Sequence, residues 1–347
     1  MLFVIARPVP ELMYTELNLS GMMLSYLFRR IFYTLPILIG VNLITFVLFF
    51  VVNTPDDMAR MQLGIKYVTH DAIEKWKVER GYDKPLLFNV EEVNLGKITN
   101  TIFFEKSVSM FLFDFGQADD GRDIAQEIKS RMIPSLAIAL PVFIFGLIAY
   151  ITFALLMVFF RASYIDFWGV ILCVALMSIS SLFYIIAGQF LMSKLWHLVP
   201  ISGYEDSLDA GRFLILPIFV GVISGAGSSI RWYRTIFLEE INKEYVRTAR
   251  AKGASEQIVL FRHILRNAMI PILTGVVVVV PLLFLGSLLV ESFFGIPGLG
   301  SYTIDAINSQ DFAVVRAIVF LGSLLYISGL ILTDVSYSLV DPRVRLT

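Results

Sequence analysis

The sequence predicts an all-α integral membrane protein with six transmembrane helices and a long extracytoplasmic loop after the first. Composition points there first: 57% of the residues are hydrophobic and 16% charged, where soluble domains carry about 25% charge. The mean hydropathy is +0.75. Six uncharged runs of crossing length follow one another, and the loops between them are basic on alternate sides, as the positive-inside rule requires.

Residues 1–23 form an N-terminal extension, with a short apolar piece from Leu2 to Ala6 followed by Pro8 and Pro10. It lacks a basic leading region and a small-residue cleavage site, so it does not read as a signal peptide. Residues 24–52 hold the first span. Its uncharged part, Ile31 to Val52, is about 33 Å long as a helix, and Arg29 and Arg30 hold its start in the cytoplasm. Residues 53–131 make the extracytoplasmic excursion. Within it Asp71 to Arg80, stopped by Gly81, reads as a surface helix, and Tyr82 to Pro85 as the turn after it. Ile124, Ile128 and Met132 recur every four residues, which predicts an amphipathic helix lying at the membrane interface.

Residues 132–345 carry the remaining spans: Met132 to Phe160, Phe167 to Ser193, Phe213 to Ile230, Asn267 to Val290 and Ala317 to Thr333. An even number of crossings puts both termini on one side, the cytoplasm. Arg161, the group from Arg231 to Arg266, and Arg343 with Arg345 then all fall on that face. Gly221, Gly225 and Ser229 repeat at four-residue spacing, and small residues at that period let helices approach closely in lipid.

The longest polar interruption of the second half is the basic loop 239–270. Asn242 to Ala254 reads as a short helix ended by Gly253 in a left-handed cap. Tyr245, Val246, Ala249 and Gly253 share one side, a small-residue face against which another body could press. By pattern alone such a loop equally serves as a basic anchor at the inner membrane face.

Several chemistries are excluded. No phosphate-binding G-x-x-x-x-G-K-[ST] occurs, since Lys106-Ser107 and Lys129-Ser130 follow no glycine loop. His70, His197 and His263 are far apart, so no metal site is expected. The single cysteine, Cys173, reads as a small core residue. The basic residues flank apolar spans rather than forming one stripe, which gives no nucleic-acid footprint. Arg231 and Arg234 are expected to emerge at the cytoplasmic surface, and Glu291 and Arg316 to sit at outer helix ends within reach of water. Asp334, at the inner end of the last span, reads either as a pathway acid or as a partner in an ion pair or helix-end contact.

Arg231, Arg234, Glu239, Glu244, Tyr245, Arg247 to Gly253, Leu265 to Met269 and Pro271 together resemble the cytoplasmic signature loop of ABC-importer membrane subunits, in the form carried by the dipeptide/oligopeptide permease family. Asp83-Lys84-Pro85-Leu86, Phe113-Asp114-Phe115-Gly116, Phe294 to Gly300, Ile304-Asp305-Ala306, Asp311 and Asp341 to Arg345 extend the resemblance to about residues 24–345. Nothing in 1–22 matches, Asn53 to Asp57 replaces the family's Pro-Gly-Asp-Pro, and residues 87–112 look inserted.

The resemblance implies a type I ABC importer permease fold in the bacterial cytoplasmic (inner) membrane. It implies a second homologous permease, two ATP-binding subunits and an extracytoplasmic solute-binding protein as partners. ATP and Mg2+ would belong to the ATP-binding subunits, with no cofactor or catalytic residue in this chain. Glu244, Tyr245, Arg247, Thr248, Ala249, Arg250, Ala251, Lys252 and Gly253 would couple to the ATPase, with Ala249 on the contacting face. Arg247 stands where many importers carry a glutamate, which implies an acidic partner opposite it. Peptides are the implied substrates, although nickel, glutathione and other solutes are moved by similar proteins. The rival reading is a self-sufficient secondary transporter or channel, which calls for intramembrane ionisable residues or broken helices. An intramembrane enzyme is weaker, because no nucleophile and base pair up.

The six-span topology is checked by accessible-cysteine labelling. Asp120→Cys should react from outside the cell and Glu256→Cys only from inside; labelling of both from one face removes the scheme.

Overall fold

The computed structural model describes residues 29–30, 32–64, 68–90, 92, 94–204 and 210–340. The extension 1–23 and the segment Asp341 to Arg345 lie outside them. The described residues are helical, with one isolated antiparallel bridge, Gln117 to Asp123, and no strand.

Helix α1 (Phe32–Val52) is apolar throughout and closes in a π turn over Val47–Val52. The excursion after it is a folded cap with its own core. Helix α2 (Pro55–Leu63) starts in a reciprocal capping box between Thr54 and Asp57, with Pro55 in the first turn. Helix α3 (His70–Arg80) is capped by Thr69 and ended by Gly81 at φ 68°. The expected surface helix and turn are therefore present. Trp76 and Ile73 turn inward onto Phe46, Phe50, Met58, Tyr82 and Ile102. The Trp76 Nε1–H donates to Gln62 Oε1 at 2.8 Å, and Arg80 stacks over the indole while pairing with Asp119 at 2.9 Å.

Helix α4 (Ile124–Phe159) is continuous, capped by Asp123 and carrying Pro134 and Pro141 inside it. The expected interfacial helix at 124–132 is thus the first turns of the second span itself. Ile124 and Ile128 are buried against Leu299 and Tyr302 rather than lying on a lipid surface.

The third apolar run does not cross as one helix. Helix α5 (Tyr164–Ser178) and helix α6 (Ser181–Gly188), which continues as a π turn over Gln189–Leu195, meet at a bend of 91°. The break is made locally: Ser180 caps the Phe183 N–H, and the Tyr184 hydroxyl donates to the Leu176 carbonyl at 2.7 Å. Hydropathy is blind to it, because Leu182, Phe183 and Ile186 are as apolar as what precedes them.

Helix α7 (Ala210–Ile241) runs well past the apolar limit at Ile230. Helix α8 (Glu244–Ala251) follows after a short turn and buries Val246 and Ala249. The fifth run, Glu256–Phe294, is also interrupted. It contains α9 (Leu265–Val279), a 3-10 turn at Pro281–Leu285, a break at Gly286 (φ 67°), and α10 (Leu288–Phe294). Helices α11 (Leu299–Ser309) and α12 (Phe312–Val340) complete the chain. Among the described residues, five helices are long and apolar enough to cross a membrane, or six with the bent pair taken as one span.

Helices α4 and α7 form the most extensive helix pair. The small-residue stripe of α7 makes that approach possible, since a Cβ at Gly221 would come within 2.8 Å of Val142 and one at Gly225 within 2.8 Å of the Tyr150 hydroxyl. Gly227 faces α5 instead, where a Cβ would sit 2.5 Å from the Cys173 carbonyl oxygen. Two ion pairs pin helix ends at the basic-loop end. Arg234 of α7 grips Asp166 of α5 through two 2.9 Å bonds, and Arg30 meets Asp334 of α12 at 3.1 Å.

Gly227→Ala should cost about 1–3 kcal/mol, because the obstacle is backbone that cannot move aside. Gly322→Ala, which meets only a side-chain carbon at 3.5 Å, should be near neutral. Thermal unfolding of the two purified variants makes the comparison, and equal melting temperatures would refute it.

Candidate functional site

The basic loop is built so that one face of α8 belongs to the chain and the other does not. Val246 and Ala249 stand one turn apart, and both are buried among Val259, Leu260, Ile264 and Phe237. Glu244, Arg247, Thr248, Ala251, Lys252 and Gly253 are exposed. The expectation that the small-residue side carrying Ala249 meets a partner is therefore corrected. That side is spent on the protein's own core, and the free face is the opposite, charged one. The physical reason is local: Val246 and Ala249 are the apolar pair of an otherwise polar helix, and the apolar surface beneath claims them.

The ends of α8 are held by polar contacts. Glu244 in the first turn pairs with Arg247 at 2.8 Å, with both side chains largely in solvent. Arg250 in the last turn forks onto Glu256 at 2.8 and 3.1 Å, tying the helix to the next segment. Tyr245 donates to the Glu240 carboxylate, and its phenol is pushed up to about 12, first by burial and then by that bond. Gly253 adopts φ 81° with open space around it, so a left-handed turn does end the loop helix. The helix itself spans Glu244–Ala251 rather than Asn242 to Ala254.

Asp334 is engaged by Arg30, so the ion-pair alternative is the one realised. Arg231 and Arg234 remain helical on α7, with Arg234 bound to Asp166 rather than reaching only solvent.

Away from this loop a cavity of about 680 Å3 opens between α4, α7 and the 275–291 stretch. Its walls carry Gly221, Ser224, Gly225 and Tyr150, and Ser135 and Glu291 line it as well. The expectation that Glu291 reaches water is wrong, since it is only 1% exposed. Its Oε2 accepts the N–H groups of Gly300 at 2.7 Å and Ser301 at 3.2 Å, and its Oε1 that of Ser287 at 3.1 Å. Ser135, far away in sequence, accepts the Leu299 N–H at 2.8 Å and bonds the same carboxylate. Gly286 and Gly298 must be glycines here, because a Cβ on either would overlap a carboxylate oxygen. Arg316 is likewise buried, at 3% exposure. Both burials come from segments that only the tertiary fold brings over them. The signal for Glu291 was the cluster of glycines at 286, 295, 298 and 300 around it. Among the described residues no group of three or more His, Cys, Asp or Glu side chains could hold a metal.

A multi-span helical protein with a broken third span, a short helix packed on the loop between two spans and a chamber among its membrane helices has the architecture of a transport permease. The chain belongs to the family of binding-protein-dependent transport system inner membrane components, whose model matches residues 128–346. The model of that family's N-terminal region matches residues 23–110, across the stretch where the resemblance was weakest. Its fold is accordingly that of type I ABC importer permeases, and it is a multi-pass inner membrane protein and a transport subunit. It is similar to the di/tripeptide transport system permease protein DppB of Pseudomonas aeruginosa, with 33% identity over 93% of this chain and 99% of that protein. The oligopeptide transport system permease protein AppB of Bacillus subtilis is 28% identical over 93% of this chain and all of its own length. The dipeptide transport system permease protein DppB of Escherichia coli is 28% identical over 93% of this chain and 99% of its own.

Glu291→Ala strands three buried N–H donors, at about 1–3 kcal/mol each, whereas Glu291→Gln keeps one acceptor oxygen. The alanine variant should lose folded protein in detergent, and the glutamine variant should melt lower but remain folded. Two equally stable variants would show that the carboxylate does not hold this junction.

Proposed function

We propose that this chain is one of two permeases of an ATP-driven importer for peptides, and that the exposed face of α8 is where an ATP-binding subunit pushes. Family membership supports the transport role, and the printed activities of the similar permeases support peptides as cargo. The observation that carries the coupling role is the division of α8: Val246 and Ala249 pack on Phe237 of α7 and on the 259–264 segment that leads into α9, while Glu244, Arg247 and Lys252 face outward. A helix so fixed on one side transmits a push on the other as a rigid body.

In this reading both termini and α8 lie in the cytoplasm, and ATP and Mg2+ are bound by two ATP-binding subunits. The folded cap of residues 53–123 faces the solute-binding protein. ATPase closure drives α8 and, through the buried cluster, tilts α7 and α9. The chamber beside Tyr150 and Gly225 then exchanges access from one side to the other against a second permease.

The bend between α5 and α6 and the buried Glu291 are features the rival secondary transporter calls for. They do not favour it here. The carboxylate is saturated by backbone donors, and the bend is closed by Ser180 and Tyr184, so neither offers a free ion-coupling group.

Arg247→Glu with Lys252→Glu reverses the outward charge without touching the core. It should reach the membrane at normal levels, yet lower ATPase copurification and peptide uptake by at least about tenfold, a loss of about 1.4 kcal/mol. Gly253→Val, strained at positive φ, should do the same. Ala249→Trp should instead lower the amount of folded protein, because its side chain enters the chain's own core. Full uptake by the first two variants would return the loop to the role of a membrane anchor.

A further inference from the structure

The end of the fold opposite the basic loop contains a second cavity, of about 890 Å3, walled by the cap and by the first turn of α12. That volume lies in the range of small-ligand pockets, roughly 300–1,000 Å3. Arg316 enters it from α12. Its guanidinium carbon rests 4.7 Å over the Phe50 ring, its Nε donates to the Phe312 carbonyl at 3.3 Å, and its Nη1 to the Lys106 carbonyl at 3.5 Å. Both bonds are long, and Nη2 has no partner among the described residues. An arginine carries five N–H donors, so most of the fork is unused. No carboxylate among the described residues makes an ion pair with it.

Lys106 stands beside it, likewise without an ion pair among the described residues. Its ammonium lies 5.5 Å over the Tyr82 ring, and its pKa is pushed down, first by burial and next by Arg316. The Tyr82 phenol, pushed up by burial, lines the same cavity and has no hydrogen-bond partner among the described residues.

The acidic groups nearby act on the two cations only through space, and none makes an ion pair with either among the described residues. Asp119 takes Arg80, Glu105 takes Lys84, and Asp114 accepts the Gly116 N–H at 3.1 Å. Asp311 accepts the N–H groups of Asp119 and Val314 at 2.8 and 3.1 Å. Glu79 lines the same cavity but is exposed to solvent. Arg316 is buried and Lys106 half-buried beside it, so desolvation and mutual repulsion remain costly even with the charges of Asp311, Glu105 and Asp114 nearby. A planar anion that forks onto the guanidinium relieves both.

We propose that this cavity binds a small ligand through a carboxylate, held by the Arg316 guanidinium, the Lys106 ammonium and the Tyr82 hydroxyl. The carboxylate lies against the free edge of Arg316, and the remaining volume takes the body of the ligand. The site is separate from the chamber and from α8, and it stands whether or not the transport reading holds.

The test is thermal unfolding of the purified full-length protein in detergent, titrated at matched ionic strength with succinate, with the dipeptide Ala-Ala and with its C-terminal amide. Succinate and Ala-Ala should raise the melting temperature saturably, and the amide should not. In Lys106→Met the half-saturating concentration should rise at least tenfold, and in Arg316→Gln the response should vanish. Lys106→Met removes no structural bond of the side chain, so it remains informative if Arg316→Gln fails to fold. Stabilisation by the amide equal to that by Ala-Ala, an unchanged response in Lys106→Met, or no response to either carboxylate would overturn the site.

Discussion

In a lipid environment no water is at hand to satisfy a backbone group, so every interruption of a membrane helix must carry its own hydrogen-bond partners. That constraint organises this molecule. The third span bends at Ile179 because Ser180 starts the next helix and Tyr184 reaches back to the Leu176 carbonyl. The fifth is interrupted at Gly286, where one carboxylate, Glu291, collects the N–H groups of Ser287, Gly300 and Ser301, with Ser135 beside it. The glycines around this carboxylate are the steric counterpart of the same solution, since backbone must come close enough to donate. The chamber lined by Ser135, Gly286 and Glu291 thus has walls made from the devices that let the helices break.

Close helix approach supplies the rest of the frame. Apolar burial gives no drive between helices already in hydrocarbon, so contact depends on shape. Gly221 and Gly225 seat Val142 and Tyr150, and Gly227 lays α7 on the backbone of α5. The result is a rigid α4, α5 and α7 unit, and α8 is bonded to its end through Val246 and Ala249. Under the proposed coupling role, displacing α8 would displace whole spans rather than bend a loop.

Much of this was legible in the residues. The apolar runs and flanking arginines mark the spans, the four-residue rhythm of Gly221, Gly225 and Ser229 marks a packing face, and Gly253 marks the end of the loop helix. The bend at Ile179 was not legible, because hydropathy measures the solvent of a segment and not its direction. Nor was the inward turn of Ala249, since a helix with small residues on one side does not say which neighbour that side meets. Glu291 and Arg316 were read as helix-end charges by their distance from the apolar limits. Yet burial is set by what folds over a residue, and their covers come from residues 135 and 300 in one case and 50 and 106 in the other.

By itself, then, the sequence determined the solvent of each segment, the family of the loop and the glycine that ends its helix, all properties of local composition and spacing. The tertiary structure alone decided which charges are buried, which face of α8 is left free, and where two cations share a cavity. Those outcomes depend on contacts between residues far apart in the chain, as with Ser135 and Leu299, and no local pattern encodes them.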